Sequence, residues 1–356
     1  TVIITTMMMA TSCIIMANLP TYAQIGVTAA WVVTICRLVQ GLSSMGEIIG
    51  AQIYVAEITK PPAGYTAVSL INLASAFGSM GALGIGALTT AYGFNWRTAF
   101  WIGACIAVVG SVARTRLRET PEFLNMKRVI KSQGKKHIIK EVQDTINPIA
   151  LEDRSFLNSL NYFFVYCGWP LIFYLVYIYF NPTLKSVYGY TAENIIFHNF
   201  LLTMVQVIST LIWTALSYRF YPLTILKIRA FCSLFLMASI PICLSINPSV
   251  IYVFLLQALI LTLHIGELPA SYIFIKKFPV DKRFTFSSFL YASARALMYV
   301  VTSFGVVYVT EAFNHWGLLL VTVPSCLAFL AGVRHFEKLE KASISSVDGA
   351  ELRQVA

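Results

Sequence analysis

Two acidic and two basic side chains stand where so apolar a sequence should hold none. Arg37 and Glu47 share one long apolar run, Arg37-Leu-Val-Gln40-Gly41-Leu-Ser-Ser-Met-Gly-Glu47, and Glu267 and Arg295 lie in two others. A charge at the centre of such a run costs at least about 2.5 kcal/mol on insertion scales, so each one needs a reason to be there. On a helix, Arg37 and Glu47 are about 280° and about 15 Å apart, so they cannot pair with each other and each must find a partner elsewhere. A weakly compensated buried carboxylate can take up and release a proton near neutral pH, which is the property a proton carrier needs. The other reading of Glu47 is a fixed partner of an arginine or of backbone amides, locking two helices together.

Glu267 sits in His264-Ile-Gly266-Glu267-Leu-Pro269. Gly and Pro on either side of a buried carboxylate predict a broken or kinked helix lining a cavity. Arg295, on the next span, is the natural counter-charge, and the pair could titrate or be purely structural. Tyr162, Tyr166 and Trp169 could reach the same cavity and stack on a quaternary ammonium by cation–π contact. His198, near a span end, reads as a capping or interface histidine. Glu57, in Val55-Ala-Glu57-Ile-Thr-Lys60-Pro-Pro, stands where a helix leaves the apolar zone, as a gate latch or a solvated carboxylate. Gly78, Gly81 and Gly84 recur every three residues, the spacing of a helix-packing face.

The elements that carry these residues are long apolar segments. The chain has 356 residues, 57% hydrophobic and only 12% charged, with mean hydropathy +0.71, whereas a soluble chain carries about 25% charged residues. Segments near 2–18, 25–44, 64–90, 97–114, 156–180, 194–217, 226–246, 249–275, 285–310 and 316–335 approach or exceed the length that crosses a bilayer. In lipid such segments must be helices, so the fold class is an all-α polytopic membrane protein with about ten transmembrane helices.

The net charge of +10 would suit a nucleic-acid binder, but its placement does not. Lys60 is alone in 59–64, ten basic residues lie in 114–154, three in 218–229, four in 276–283 and four from 334 onward. The alternate gaps hold only Arg97 and Lys185. This bias puts the first residues, the 114–154 loop and the C-terminus on the cytosolic side of a cell (inner) membrane, with anionic lipid as a partner of the basic loops. Nucleic acid is not an expected partner.

The seven cysteines all fall in apolar stretches without metal-ligand spacing, so they read as small buried hydrophobes, and no metal or other cofactor is expected. GxxxxGK[ST], GxSxG and HExxH are absent from the sequence. No His/Asp/Glu set gathers near an interface, so the chain does not read as an enzyme. The expected domains are an incomplete N-terminal bundle of four spans (1–115), a cytosolic central loop (116–154), a C-terminal six-helix bundle (155–336) and a polar, unstructured cytosolic tail (337–356). The chain opens within an apolar segment and reads as lacking a beginning; two more spans there would make six plus six.

Four motifs carry a family resemblance. RLVQGLSSMGE from Arg37, followed by Ala56-Glu57, resembles the fourth helix of the major facilitator superfamily, closest to its metabolite:proton symporter branch, and Trp96-Arg97 resembles the start of the sixth. Arg118-Glu-Thr-Pro-Glu-Phe resembles the opening of its central loop, and Phe278-Pro-Val-Asp-Lys-Arg-Phe the segment after its tenth helix. Within the branch, proline/glycine-betaine transporters look most similar, with dicarboxylate and shikimate permeases as relatives. The resemblance implies a two-bundle, twelve-helix fold of which helices three to twelve are matched. It implies that Arg37, Gln40 and Glu47 belong to a charged relay of the first bundle, and that Arg118, together with Arg219 in the eroded loop Ser217-Tyr-Arg-Phe-Tyr-Pro, belongs to the inner gate. Met45, Lys276 and Lys277 depart from the family pattern. The function implied is a monomeric secondary active transporter, a proton-coupled symporter of a small polar solute such as proline or glycine betaine, working by alternating access. The rivals are a dicarboxylate/shikimate-type permease and a non-transporting remnant or split-gene fragment.

Overall fold

The computed structural model describes residues 2–92, 95–114, 120–122, 124–125, 127–128, 148–246 and 249–355. Among these residues every regular element is helical. The helices are α1 (Val2–Asn18), α2 (Tyr22–Ile25), α3 (Val27–Ile58), α4 (Ala63–Tyr92), α5 (Arg97–Arg114), α6 (Pro148–Tyr166), α7 (Gly168–Tyr174) and α8 (Asn181–Ser186). They continue as α9 (Ala192–Leu216), α10 (Pro222–Ser245), α11 (Val250–Leu263), α12 (Ser271–Lys276), α13 (Arg283–Val300), α14 (Val307–Phe313) and α15 (Leu319–Val355). Wider π-turns at Leu175–Tyr179 and Val301–Val306 join α7 to α8 and α13 to α14.

Among the described residues, six stretches are long and apolar enough to cross a membrane: Val27–Ile58, Ala63–Leu88, Phe156–Ser186, Ala192–Leu216, Pro222–Ser245 and Arg283–Ala342. The last is interrupted at Asn314–Leu318 by a 3-10 turn. There Asn314 takes φ 51°, and a Cβ on Gly317 would lie 2.2 Å from the Val309 carbonyl, so only glycine fits. Shorter apolar helices, Ile4–Asn18, Arg97–Ala113 and Val250–Leu263, lie within three more of the expected spans.

α1 packs against α3 and α5, and α3 against α4. In the later half α6 lies against α13 and α15, and α11 lies against α9 and α10. The seam between the halves is α4 on α9 and α3 on α13, with α12 tucked against α3 and α4. The largest buried apolar cluster is centred in the later half on Tyr162, Leu171, Leu175, Phe274, Phe329 and Phe336. Large apolar side chains such as Trp31, Ile106, Phe156, Ile251 and Phe304 point outward, as lipid contact allows.

Two expectations are corrected here. Residues 337–356, read as unstructured, continue α15 as far as Val355. Lys and Glu are good helix formers, and Glu337 is tied to Lys227 at 3.0 Å and to Lys341 at 3.1 Å, with Glu340 paired to Lys277. The glycine packing face is the second correction. Gly78 and Gly81 face open space, and only Gly84 abuts a neighbour, the Phe200 ring of α9, 3.3 Å from where a Cβ would stand.

Candidate functional site

The helix that begins at Val250 stops at Leu263, and the chain resumes as helix only at Ser271. Pro269 supplies no amide hydrogen and Gly266 weakens the turn, so the carbonyls just before and within the break lose their helical partners. In an apolar surround each must be satisfied by side chains. Trp213 Nε1 donates to the Thr262 carbonyl at 2.8 Å, and Ser233 Oγ to that of Leu263. Arg229 donates through Nη2 to His264 O at 2.9 Å and through Nη1 to Leu268 O at 2.5 Å. Arg229 is only 1% exposed, and its guanidinium lies over the Trp213 ring, 5.3 Å from the centroid. Gly168 of α7 lets that helix touch the break, because a Cβ there would be 2.9 Å from the Ile265 carbonyl.

Sequence reasoning missed Arg229 by counting it among the cations of the 218–229 gap. The signal was present: Pro222 starts a helix, which puts Arg229 two turns inside it and on one face with Ser233.

The break lines a cavity of about 450 Å³ between the halves. One face of α3 (Gly41, Ser44, Met45, Ile48) and the facing side of α4 (Asn72, Ser75, Ser79) form one wall. Trp169, Gln206, His264, Glu267, Tyr291 and Arg295 stand on the other. Gln52 holds Asn72 at 3.0 Å and Tyr177 holds Gln206 at 2.9 Å, so both amides are fixed. Glu267 and Arg295 share this wall, but no ion pair joins them among the described residues. Arg295 donates to the Tyr291 hydroxyl instead and lies over that ring, 5.0 Å from its centroid. Both Arg295 and Arg229 act on Glu267 as counter-charges from a distance.

The aromatic trio divides. Trp169 lines the cavity, 5.2 Å from the His264 ring centroid. Tyr162 and Tyr166 are buried in the bundle core, stacked on each other at 4.3 Å, because they lie one turn apart on the inner face of α6. His198 is buried and bonds Gln257 at 2.9 Å, away from the cavity.

Arg37, Gln40 and Glu47 do not line the cavity. Arg37 meets Gln40 Oε1 at 3.3 Å and lies over the Phe100 ring of α5 at 5.5 Å. Gln40 reaches Cys13 Sγ of α1 at 3.5 Å, and Glu47 accepts from Thr6 of α1 at 2.9 Å. These contacts set the three side chains against α1 and α5.

A polar cluster closes the seam where residues 120–122 of the central loop meet the ends of α3 and α12. Glu57 at the end of α3 binds Arg283 of α13 at 2.7 Å and accepts from Thr120 at 2.5 Å. Glu122 meets the same Arg283 at 3.1 Å and Lys276 at 2.5 Å. Tyr272 reaches the Thr59 carbonyl at 3.3 Å beside them. Burial pushes the Glu122 carboxyl up, but hydrogen bonds and charge from Lys276 and Arg283 outweigh it and hold the group below its ordinary 4.5. Lys276 and Lys277, departures from the family pattern, are thus both employed. Arg219 stands exposed on the turn after α9, outside this cluster. Arg118 lies outside the described residues.

A model of the Major Facilitator Superfamily matches residues 1–303. An ectoine/proline transporter of Corynebacterium glutamicum is 31% identical over 158 residues, 41% of this chain and 30% of that protein. A proline/betaine transporter of Salmonella typhimurium is 32% identical over 127 residues, 34% of this chain and 25% of that protein. The aligned region thus spans under a third of the length of these curated relatives. Among solved structures, a D-xylose–proton symporter superposes with TM-score 0.64 at 15% identity, covering 93% of this chain and 79% of that one. The Escherichia coli fucose:proton symporter gives 0.58 at 13% identity, covering 94% and 83%. All four are named as transporters or symporters, in line with a chain that does not read as an enzyme.

Proposed function

This chain belongs to the major facilitator superfamily, and from that membership we propose that it serves a proton-coupled secondary transporter of a small zwitterion such as proline or glycine betaine. The observation that carries the reading is the cavity between the halves. Its lining holds one carboxylate, Glu267, and one guanidinium, Arg295, among the described residues, with the Trp169 ring beside them. Arg295 suits a solute carboxylate, and Glu267 with the indole suits an ammonium or quaternary nitrogen, where cation–π contact contributes about 0.5–2 kcal/mol. Protonation of Glu267 changes the charge that the solute meets, which couples the two fluxes. The bundles 1–115 and 155–336 rock about this site. Glu57, Glu122, Lys276 and Arg283 hold the loop-side gate shut, with Arg118 and Arg219 joining that gate in other states of the cycle. Arg37, Gln40 and Glu47 form a relay inside the first bundle. The basic loops, the first residues and the C-terminal helix lie on the cytosolic side of a cell (inner) membrane, against anionic lipid, and the chain acts as a monomer.

Uptake of labelled betaine, proline, 2-oxoglutarate and shikimate into proteoliposomes under an imposed pH gradient tests the proposal. Uptake of a zwitterion that Glu267→Gln uncouples from the gradient is the expected result. Uptake unchanged in both Glu267→Gln and Glu47→Gln removes these carboxylates from the mechanism, and preference for 2-oxoglutarate refutes the zwitterion assignment.

A further inference from the structure

Between the cavity and the loop-side gate lies a group of hydroxyls that the transport cycle above does not use. Tyr162, Tyr166, Ser271 and Ser287 are 0%, 2%, 0% and 0% exposed. The Tyr162 hydroxyl is turned toward those of Tyr166 and Ser287, and the Tyr166 hydroxyl toward Ser271. Yet the Tyr162, Tyr166 and Ser287 oxygens have no hydrogen-bond partner among the described residues. A buried polar group left so costs about 1–3 kcal/mol, and three gathered in one place call for a function or for bridging water.

The group has two ends. At one, Tyr166 packs edge-on against Tyr291 of the cavity wall at 5.5 Å, and Ser271 Oγ sits 3.5 Å from the backbone carbonyl of Glu267. At the other, Tyr162 packs against Phe278 at 5.2 Å, and the Phe278 carbonyl accepts from Arg283 Nε at 3.2 Å. Arg283 is the cation of the gate. The stacked pair bridges these ends through the core of the later half.

We infer that Tyr166, Tyr162 and Ser287, with water bridging their hydroxyls, form a relay that passes protons between Glu267 and the loop side of the gate. The inference rests on Glu267 being the proton carrier of the proposed cycle. In each hop a hydroxyl accepts one proton on its oxygen and releases its own to the next oxygen. One O–H bond breaks for each that forms, and no phenolate is left behind. The proton lost by Glu267 leaves to solvent beside Glu122, and a proton moving the other way reverses every step.

The test is the rate at which Glu267 takes up a proton after a pH jump in the reconstituted protein, read from the infrared C=O stretch that Glu267→Gln removes. Tyr166→Phe and the double variant Tyr162→Phe/Tyr166→Phe keep both rings and their stack. The relay requires protonation to slow by at least about tenfold in the double variant, with an unchanged midpoint. An unchanged rate, or slowing that a shifted midpoint accounts for, overturns it. Ser287→Ala carries the same expectation should the double variant fail to fold. A Glu267 band that does not titrate at all sinks the proton-carrier reading, whereas one that titrates equally fast in every variant sinks the relay alone.

Discussion

Arg229→Lys is the sharpest probe of how the site is held. The lysine keeps the positive charge but concentrates it at one nitrogen, so it cannot reproduce the fork that now reaches both His264 O at 2.9 Å and Leu268 O at 2.5 Å. Polar contacts between membrane helices average only about 0.6 kcal/mol, because the released groups find other partners. Here the released group is a carbonyl of a broken helix beside a side chain that is 1% exposed, and the lost donor is charged. One charged-donor bond is worth about 1.5–3 kcal/mol, and that is the expected destabilisation. Arg229→Met is a poorer probe, since it also relieves the cost of burying the charge. Equilibrium unfolding in mixed micelles measures the difference. A lysine variant as stable as the parent would show that Arg229 does not hold the break, and the account of how Glu267 is presented to the cavity would fail with it.

Three further outcomes follow from the same geometry. Gly168→Ala forces a Cβ against the Ile265 carbonyl and is expected to destabilise by about 1–3 kcal/mol, while Gly78→Ala meets open space and should stabilise by up to about 1 kcal/mol; unfolding midpoints that rank the two the other way refute the packing. Because Glu122 is held below 4.5 in the folded state, its contribution to the gate is complete above about that pH and is lost as the pH falls through the lower folded value. Thermal melts of the parent and Glu122→Gln should therefore differ near neutrality and converge in acid; parallel profiles at every pH contradict this. Arg283→Ala removes the cation shared by Glu57 and Glu122 and should expose a cysteine placed at Ala56 to labelling, whereas Arg219→Ala, on an exposed turn, should leave labelling and stability within about 0.5 kcal/mol of the parent.

The spans were legible because lipid imposes one length and one secondary structure on every crossing. The break at His264–Pro269 was legible for a related reason: Gly and Pro around a carboxylate have few uses in a membrane helix. Which residues would meet across helices was not. Arg37 and Glu47 stood out by charge and Gln40 by the motif it shares with them, yet α3 turns Gly41, Ser44, Met45 and Ile48 to the cavity instead. Helical spacing fixes which residues share a face, but not which neighbour that face meets. Arg229 was hidden because a cation two turns from a helix start reads like a loop cation. Gly78 and Gly81 had the right spacing, but packing needs a partner, and Phe200 supplies one only at Gly84.

Trp213 has an optical consequence. Its indole donates to Thr262 and carries the Arg229 guanidinium on its face, so two groups that shift indole emission are both anchored to the interrupted helix. Movement of that segment should therefore change the colour and yield of this tryptophan, giving a built-in spectroscopic gauge that needs no attached dye.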